Sequence, residues 1–201
     1  MKVLLINGSP HPDGCTHMAL NEVATTLNKE GVETEIIYLG NQPVAGCIAC
    51  NSCRKTGRCI RNDQVNEILE RLDTIDGIVL GSPVYYSQPT GQILSFSQRL
   101  FYASAGRMYG KVGASVVSCR RGGATATFEC LNQIFLMNNM VLASSQYWNQ
   151  VHGNSPEEEA QDLEGLQTMR TLGQNIAWIL KGLANTPKPE YEPRQSTNFI
   201  R

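Results

Sequence analysis

Four cysteines, at positions 47, 50, 53 and 59, form the pattern C-x2-C-x2-C-x5-C. Four thiolates at this compact spacing can hold one [4Fe–4S] cluster. Zinc sites more often use two C-x2-C pairs separated by a longer stretch, so zinc is the less natural metal for these four cysteines. Free thiols or a reversible disulfide would account for the same residues. The pattern therefore predicts Cys47, Cys50, Cys53 and Cys59 as candidate cluster ligands, with these alternatives open.

A second candidate site lies near the start of the chain. Residues 3–6 are a short apolar run, residues 7–14 are rich in Gly, Ser and Pro, and Thr16 begins a helical pattern. Where a buried strand passes through such a loop into a helix, free backbone N–H groups and the helix dipole favour an anion. The hydroxyls of Ser9 and Thr16 could add donors for a phosphate. The loop matches neither the Walker A nor the dinucleotide-binding pattern, and an ordinary strand-to-helix turn is the alternative.

The elements that must position these residues alternate along the chain. Apolar runs predict strands at 3–6, 34–39, 77–80, 111–118 and 140–144. Helical periodicity predicts helices that begin near 16, 62, 90, 124 and 156, the last running to about 183. Five strands alternating with five helices predict an α/β fold, a doubly wound five-stranded parallel sheet with helices on both faces. Ligands of such sheets bind beyond the carboxyl ends of the strands.

One domain accounts for most of the chain. We expect it to span residues 1–184 with a Cys-rich insertion at 40–61, and we expect an extended Pro-containing tail at 185–201. A connection of about 20 residues inside a compact domain is generally functional. The loop after the predicted fifth strand contains His152, which we take as a candidate proton donor.

Charge and hydropathy exclude several classes of protein. The net charge is −1, so no basic field attracts nucleic acid. No apolar run approaches the roughly 20 residues of a membrane span. Residues 1–7 lack a signal-peptide pattern, because one lysine precedes only four apolar residues and a polar turn. We therefore expect a cytoplasmic protein with no nucleic-acid or membrane partner.

Three loops together resemble those of a known family. Residues 8–10 with Thr16, residues 82–86 and residues 120–123 look like the ligand loops of flavodoxin-like NAD(P)H-dependent FMN reductases. The resemblance implies the sheet order 2-1-3-4-5 and bound FMN. It implies an FMN site built from Ser9, His11, Cys15, Thr16, Pro83, Val84, Tyr85, Tyr86, Cys119, Arg120, Gly122 and Gly123. Position 11 departs from the family, where Arg is frequent, and Cys15 is expected to line the site without reacting.

The cysteine pattern is similar to that of the iron–sulfur flavoproteins, a branch of the same family. The resemblance implies an oxidoreductase that passes electrons from NAD(P)H through FMN to a quinone, flavin or other small acceptor. The alternative is an iron–sulfur flavoprotein that transfers electrons between protein partners, and a redox or metal sensor is a third reading. Related reductases are dimers, so a homodimer or homotetramer is expected, with the extended tail as a candidate arm onto a partner. The acceptor and the choice of NADH or NADPH stay open. Cys130 is predicted to be a core residue.

Overall fold

The computed structural model describes residues 1–193 together with 195 and 197. The strands are β1 Lys2–Asn7, β2 Glu33–Tyr38, β3 Gly77–Pro83, β4 Val112–Cys119, β5 Val141–Leu142 and β6 Gln150–His152. The helices are α1 Cys15–Lys29, α2 Ser52–Thr56, α3 Gln64–Glu70, α4 Gly91–Ala103, α5 Ala124–Met137, α6 Pro156–Glu159 and α7 Leu163–Ala184, with a 3-10 helix at Leu72–Thr74.

The strands form one parallel sheet in the order β2-β1-β3-β4-β5, with β6 also paired to β4. This is the flavodoxin-like order, so the predicted fold class is confirmed. The order reverses between β1 and β3, and the loops that follow these two strands therefore lie side by side at the carboxyl edge. That edge is where ligands of such sheets bind.

Alternating strand residues build a core on each side of the sheet. Leu4 and Ile6 of β1 face a cluster that includes α3, α4 and α5. Val3 and Leu5 face the other cluster, which includes α1 and α7. Because a strand buried on both faces needs apolar side chains at every position, the continuous apolar run at 3–6 is explained by this double layer.

The fifth strand differs from the prediction. It covers only Val141–Leu142, which pair with the first residues of β4, and residues 143–149 leave the sheet. The chain returns as β6, where Gln150–His152 pair with the last residues of β4. Ser145 donates its hydroxyl to Asn149 Oδ1 at 2.6 Å, a local hydrogen bond that competes with strand pairing. His152 therefore lies in a strand and not in the predicted loop.

The last helix was predicted as one and is two. α6 ends at Glu159 and α7 begins at Leu163. Asp162 caps α7 by accepting from Gly165 N at 2.9 Å, and it also accepts from His152 N at 2.7 Å. A carboxylate that caps one helix and holds a neighbouring strand fixes a break at this position. The helix predicted to begin near residue 62 is α3, which Asp63 caps by accepting from Val65 N.

The Cys-rich insertion is mostly irregular but contains the short helix α2. Left-handed residues, Asn51 and Gly57, flank this helix at its two ends.

The described part of the tail folds back onto its own chain, since Tyr109 donates to Pro189 O at 3.1 Å and packs against Tyr191. Residues 194, 196 and 198–201 of the predicted tail lie outside the described residues. Within the described residues, no helix is both long and apolar enough to cross a membrane.

Candidate functional site

A cavity of about 420 Å³ opens at the carboxyl edge of the sheet. Most of the predicted FMN-site residues line this rim cavity, namely Ser9, His11, Cys15, Thr16, Pro83, Val84, Tyr85, Cys119 and Arg120. Its size falls in the range of small-molecule sites. The structure therefore brings together residues from all three loops that the sequence analysis selected.

The start of α1 presents unsatisfied donors to the rim cavity. The N-cap residue of α1 is Gly14, which has no side chain that could cap the helix. The first turn of α1 contains no acidic residue. Thr16 is 1% exposed, and its hydroxyl has no hydrogen-bond partner among the described residues. A buried hydroxyl without a partner costs free energy unless a ligand satisfies it. Together with the helix dipole, this end of the cavity is suited to an anion.

The loop before α1 is held in shape by its own side chains. Asn7 accepts from Ser9 N at 3.0 Å, and the Ser9 hydroxyl accepts from His11 N at 3.1 Å. Asn7 also donates to Pro12 O at 3.3 Å. These bonds fix the loop without a ligand, so its geometry is preorganised.

The loop after β3 makes a tight hairpin at the cavity wall. Tyr85 and Gln88 exchange two backbone hydrogen bonds of 2.9 Å, which places Tyr86 and Ser87 at the turn with positive φ. Left-handed backbone at two successive non-glycine residues is strained and is found preferentially at functional sites. Tyr85 lines the cavity, whereas Tyr86 is fully exposed and lies outside its lining.

Three further predicted residues lie outside the cavity lining. Gly122 is exposed, and Gly123 precedes α5 with a φ of +86°. A Cβ on Gly123 would lie 2.7 Å from Ser87 Oγ, so this glycine packs the third loop against the second. His152 points to Asp162, with 3.5 Å between Nδ1 and Oδ2. Its catalytic role stays a prediction.

One wall of the cavity consists of residues that the sequence did not predict as site residues. Ser118 and residues 153–156 line it, following β4 and β6. The segment Gly153-Asn154-Ser155-Pro156 has the composition of the first loop, Asn7-Gly8-Ser9-Pro10. That similarity was the available signal. The similarity alone does not predict this wall, because Gln150–His152 is too short a segment to be predicted as a strand that ends at the same edge.

The four clustered cysteines line a second, smaller cavity of about 30 Å³ between the insertion and α4, which we call the cysteine cavity. Cys47 and Cys50 are exposed, whereas Cys53 and Cys59 are half-buried. All four are free thiols in this structure. Among the described residues, no three His, Cys, Asp or Glu side chains are grouped so that they could hold a metal ion.

A buried arginine lies beneath the cysteine cavity. Arg99 of α4 has a side chain that is 1% exposed and forms a two-pronged ion pair with Asp63 at 2.6 and 2.8 Å. Its Nε and Nη2 also lie 3.3 and 3.4 Å from Cys59 Sγ. Burial lowers the pKa of this guanidinium, but the hydrogen bonds to Asp63 and Cys59 more than compensate. The pKa therefore lies above its ordinary value, and the group is charged.

The remaining cysteines are not in that cavity. Burial, with Glu159 beside it, raises the pKa of the Cys15 thiol to about 11, which agrees with a lining role. Burial also raises the pKa of Cys119. Cys130 is half-buried on α5 and not in the core, a correction to the prediction.

A carboxyl group is buried behind the rim cavity. Glu159 is 0% exposed and accepts from the Ser118 hydroxyl at 3.5 Å, while its Oε1 has no partner in the described part of the chain. Burial raises the pKa of Glu159 to about 7, and the nearby Asp162 adds to the shift. Desolvation penalises the charged carboxylate, so the native protein retains this proton over the range in which the unfolded chain releases it.

We expect this group to make the ligand-free protein less stable as pH rises. Between about pH 4.5 and pH 7 the native state binds the extra proton, so the free energy of unfolding falls by about 3 kcal/mol and stays low above pH 7. Glu159→Gln should remove most of that slope and be the more stable protein at pH 8. Urea unfolding at pH 5 and pH 8 measures both. Glu129→Gln, at an exposed position on α5, should keep the wild-type slope. Equal slopes in wild type and Glu159→Gln would contradict the assignment.

Comparison with known proteins agrees with this geometry. The family model described as NADPH-dependent FMN reductase matches residues 1–154. An iron–sulfur flavoprotein of Methanocaldococcus jannaschii is 34% identical over 189 residues, covering 90% of this chain and 98% of the relative. An iron–sulfur flavoprotein of Methanosarcina thermophila is 27% identical over 186 residues, covering 90% of this chain and 96% of the relative.

A solved structure supports the fold separately. An archaeal flavodoxin superposes with a TM-score of 0.62 at 15% identity, covering 90% of this chain and 99% of the flavodoxin. At that identity the likeness establishes the fold alone. The family model spans well over half of the sequence and includes the loops of the rim cavity up to Asn154. The chain therefore belongs to the NADPH-dependent FMN reductase family, among relatives that are named iron–sulfur flavoproteins.

Proposed function

We propose that this protein is an FMN-dependent NAD(P)H oxidoreductase whose FMN binds in the rim cavity. The observation that carries the proposal is the buried, unpartnered hydroxyl of Thr16 at the uncapped start of α1. A phosphate there would accept from that hydroxyl and from backbone N–H groups of the helix. Family membership supports the same cofactor.

The other walls of the cavity suit the remaining parts of FMN. Pro83, Val84 and Tyr85 offer an apolar and aromatic surface for a flat ring. Cys119 and Arg120 of the third loop line the same cavity and would supply polar contacts to the cofactor. When bound, FMN accepts a hydride from NAD(P)H and supplies electrons to an acceptor, so these residues bind and orient it and exclude water. Gly123 packs the third loop against the second from outside the lining, and the roles predicted for Tyr86 and Gly122 stay predictions.

Removing the Thr16 hydroxyl should weaken FMN binding. Thr16→Val keeps the shape and the burial but deletes the donor, and a hydrogen bond to a charged group contributes about 1.5–3 kcal/mol. The dissociation constant of FMN, measured by quenching of flavin fluorescence, should rise about 10- to 100-fold.

Thr26→Val is the matched control for that experiment. Thr26 lies on the same helix, is also buried, and donates to Glu22 O at 3.0 Å, away from the cavity. It should bind FMN as wild type does. If Thr16→Val binds FMN as tightly as the control, the phosphate does not lie where we place it.

Enzymatic turnover distinguishes an enzyme from a carrier. We expect the FMN-loaded protein to oxidise NADH or NADPH steadily when a quinone, a flavin or ferricyanide is supplied, and not without added acceptor under anaerobic conditions. Nicotinamide absorbance follows the reaction, and FMN-free protein is the control. A protein that binds FMN but turns over none of these acceptors is not the proposed reductase.

We further propose that Cys47, Cys50, Cys53 and Cys59 hold a [4Fe–4S] cluster. The donor set fits: four thiols line one cavity, and no carboxylate shares its lining among the described residues. Relatives with 34% and 27% identity are named iron–sulfur flavoproteins. A cluster distributes its four ligands over separate iron atoms, so it does not require three of them around one ion. When bound, it supplies one-electron transfer beside the flavin's chemistry.

Anaerobically purified protein should contain about four irons per chain and show broad iron–sulfur absorption. Cys53→Ser should lose most of that iron, because it removes one of the four ligands. Cys130→Ser, a half-buried cysteine outside the cysteine cavity, should retain it. Iron content equal in Cys53→Ser and wild type would refute the ligand assignment, and so would wild-type protein free of iron.

Electron transfer to a protein partner is the second candidate function. The surface around the cysteine cavity carries exposed Arg54, Lys55, Arg58 and Arg61, with exposed Ile48 and Ile60 lining the cavity itself. A basic ring around apolar side chains suits an acidic electron-transfer protein. The homodimer or homotetramer stays a prediction.

A further inference from the structure

The four cysteines of the cysteine cavity differ in their exposure and in the hydrogen bonds that fix them. Cys47 and Cys50 are exposed on irregular backbone, and Cys53 lies in the short helix α2. Cys59, in contrast, is fixed at both its backbone and its sulfur. Its N–H donates to Asn66 Oδ1 at 2.8 Å, and its carbonyl accepts from Asn66 Nδ2 at 3.0 Å.

The sulfur of Cys59 is fixed by Arg99. Two N–H groups of the guanidinium point to Sγ from 3.3 and 3.4 Å. Among the described residues, Cys59 is the cysteine of this group whose sulfur accepts from a charged side chain, whereas Cys47 Sγ accepts only from the backbone N of Ala49. Asp63 orients the guanidinium from its other side at 2.6 and 2.8 Å.

This arrangement is not explained by stability alone. Only the arginine of this ion pair is buried, because the Asp63 side chain is 40% exposed, and ion pairs contribute little to stability when exposed and often little when buried. The guanidinium also donates to the carbonyl oxygens of Ala45 and Arg61 at 3.4 Å. Its Nε–Nη2 edge is directed at the sulfur of Cys59, a weak acceptor when the thiol is neutral. A sulfur that carries negative charge, as a thiolate ligand does, makes the same contact a charge-assisted hydrogen bond.

We infer that Arg99 is a positioning residue that sets the reduction potential of the centre held by the four cysteines, through its hydrogen bonds to Cys59 Sγ. The inference rests on the cluster in the proposed function. Each electron added to an iron–sulfur centre increases the negative charge on its cysteine sulfurs, so donors to those sulfurs favour the reduced state. Asp63 moderates the effect by compensating the charge of Arg99.

Two substitutions at this pair should move the potential in opposite directions. Arg99→Gln removes the charge and the paired donors, so we expect the ratio of reduced to oxidised centre at a fixed potential to fall about tenfold, a 59 mV negative shift. Asp63→Asn keeps the cap of α3 but leaves Arg99 uncompensated, so the potential should rise. General disruption of the site would shift both variants the same way.

The measurement is a dithionite titration of anaerobically purified, iron-loaded protein, with the reduced centre detected by electron paramagnetic resonance. The control is Arg71→Gln. Arg71 forms a comparable two-pronged pair with Glu35 at 2.6 and 2.7 Å, away from the cysteines. It should alter stability without altering the potential.

Opposite shifts in Arg99→Gln and Asp63→Asn, with none in Arg71→Gln, support the inference. An unchanged potential in Arg99→Gln, or negative shifts in both variants, overturns it. If Arg99→Gln fails to fold, Asp63→Asn decides, because a rise supports the role and no change or a fall refutes it. Wild-type protein without iron would overturn the cluster itself, a result distinguishable from the others before any variant is compared.

Discussion

The structure depends on the close contact between the ends of β1 and β3. Gly8 N donates to Gly81 O at 2.9 Å, and the buried Thr90 hydroxyl donates to Gly8 O at 2.7 Å. A Cβ on Gly8 would lie 2.6 Å from Ile93 Cβ, so only glycine lets α4 begin this close to the strand ends. Two loops of the rim cavity and the helix beside them are thereby fixed as one unit.

Helix α4 connects the two candidate sites. Its first turn, capped by Thr90, is joined to the rim loops, and Arg99 reaches the cysteine cavity from the same helix. Nine residues of α-helix span about 13 Å along the axis, so the two sites are held at a short and rigid separation. A rigid helix between two redox groups would keep their distance constant through each cycle of the proposed reaction.

Two unsatisfied buried polar groups occur at or next to the rim cavity. The Thr16 hydroxyl and Glu159 Oε1 lack partners among the described residues, although most buried polar atoms in native proteins are paired. The two groups would act differently on a bound anion. The hydroxyl can donate a hydrogen bond to it, whereas the carboxyl repels it when ionised and does not when protonated. Burial raises the pKa of Glu159 to about 7, so this carboxyl is partly protonated at neutral pH, which reduces its repulsion of an anion.

The sequence by itself determined the sheet, the loops at its carboxyl edge and the spacing of the cysteines, because these follow from local patterns. Continuous apolar runs mark strands buried on both faces, and Gly-, Ser- and Pro-rich segments mark where they end. Only the tertiary structure decided that β6 pairs with β4, which brings residues 153–156 to the cavity. It also decided that Arg99 meets Cys59, forty residues away in the chain. Contacts of this kind depend on how distant elements pack, and hydrophobic periodicity along one segment carries no information about the partner of a single charged side chain.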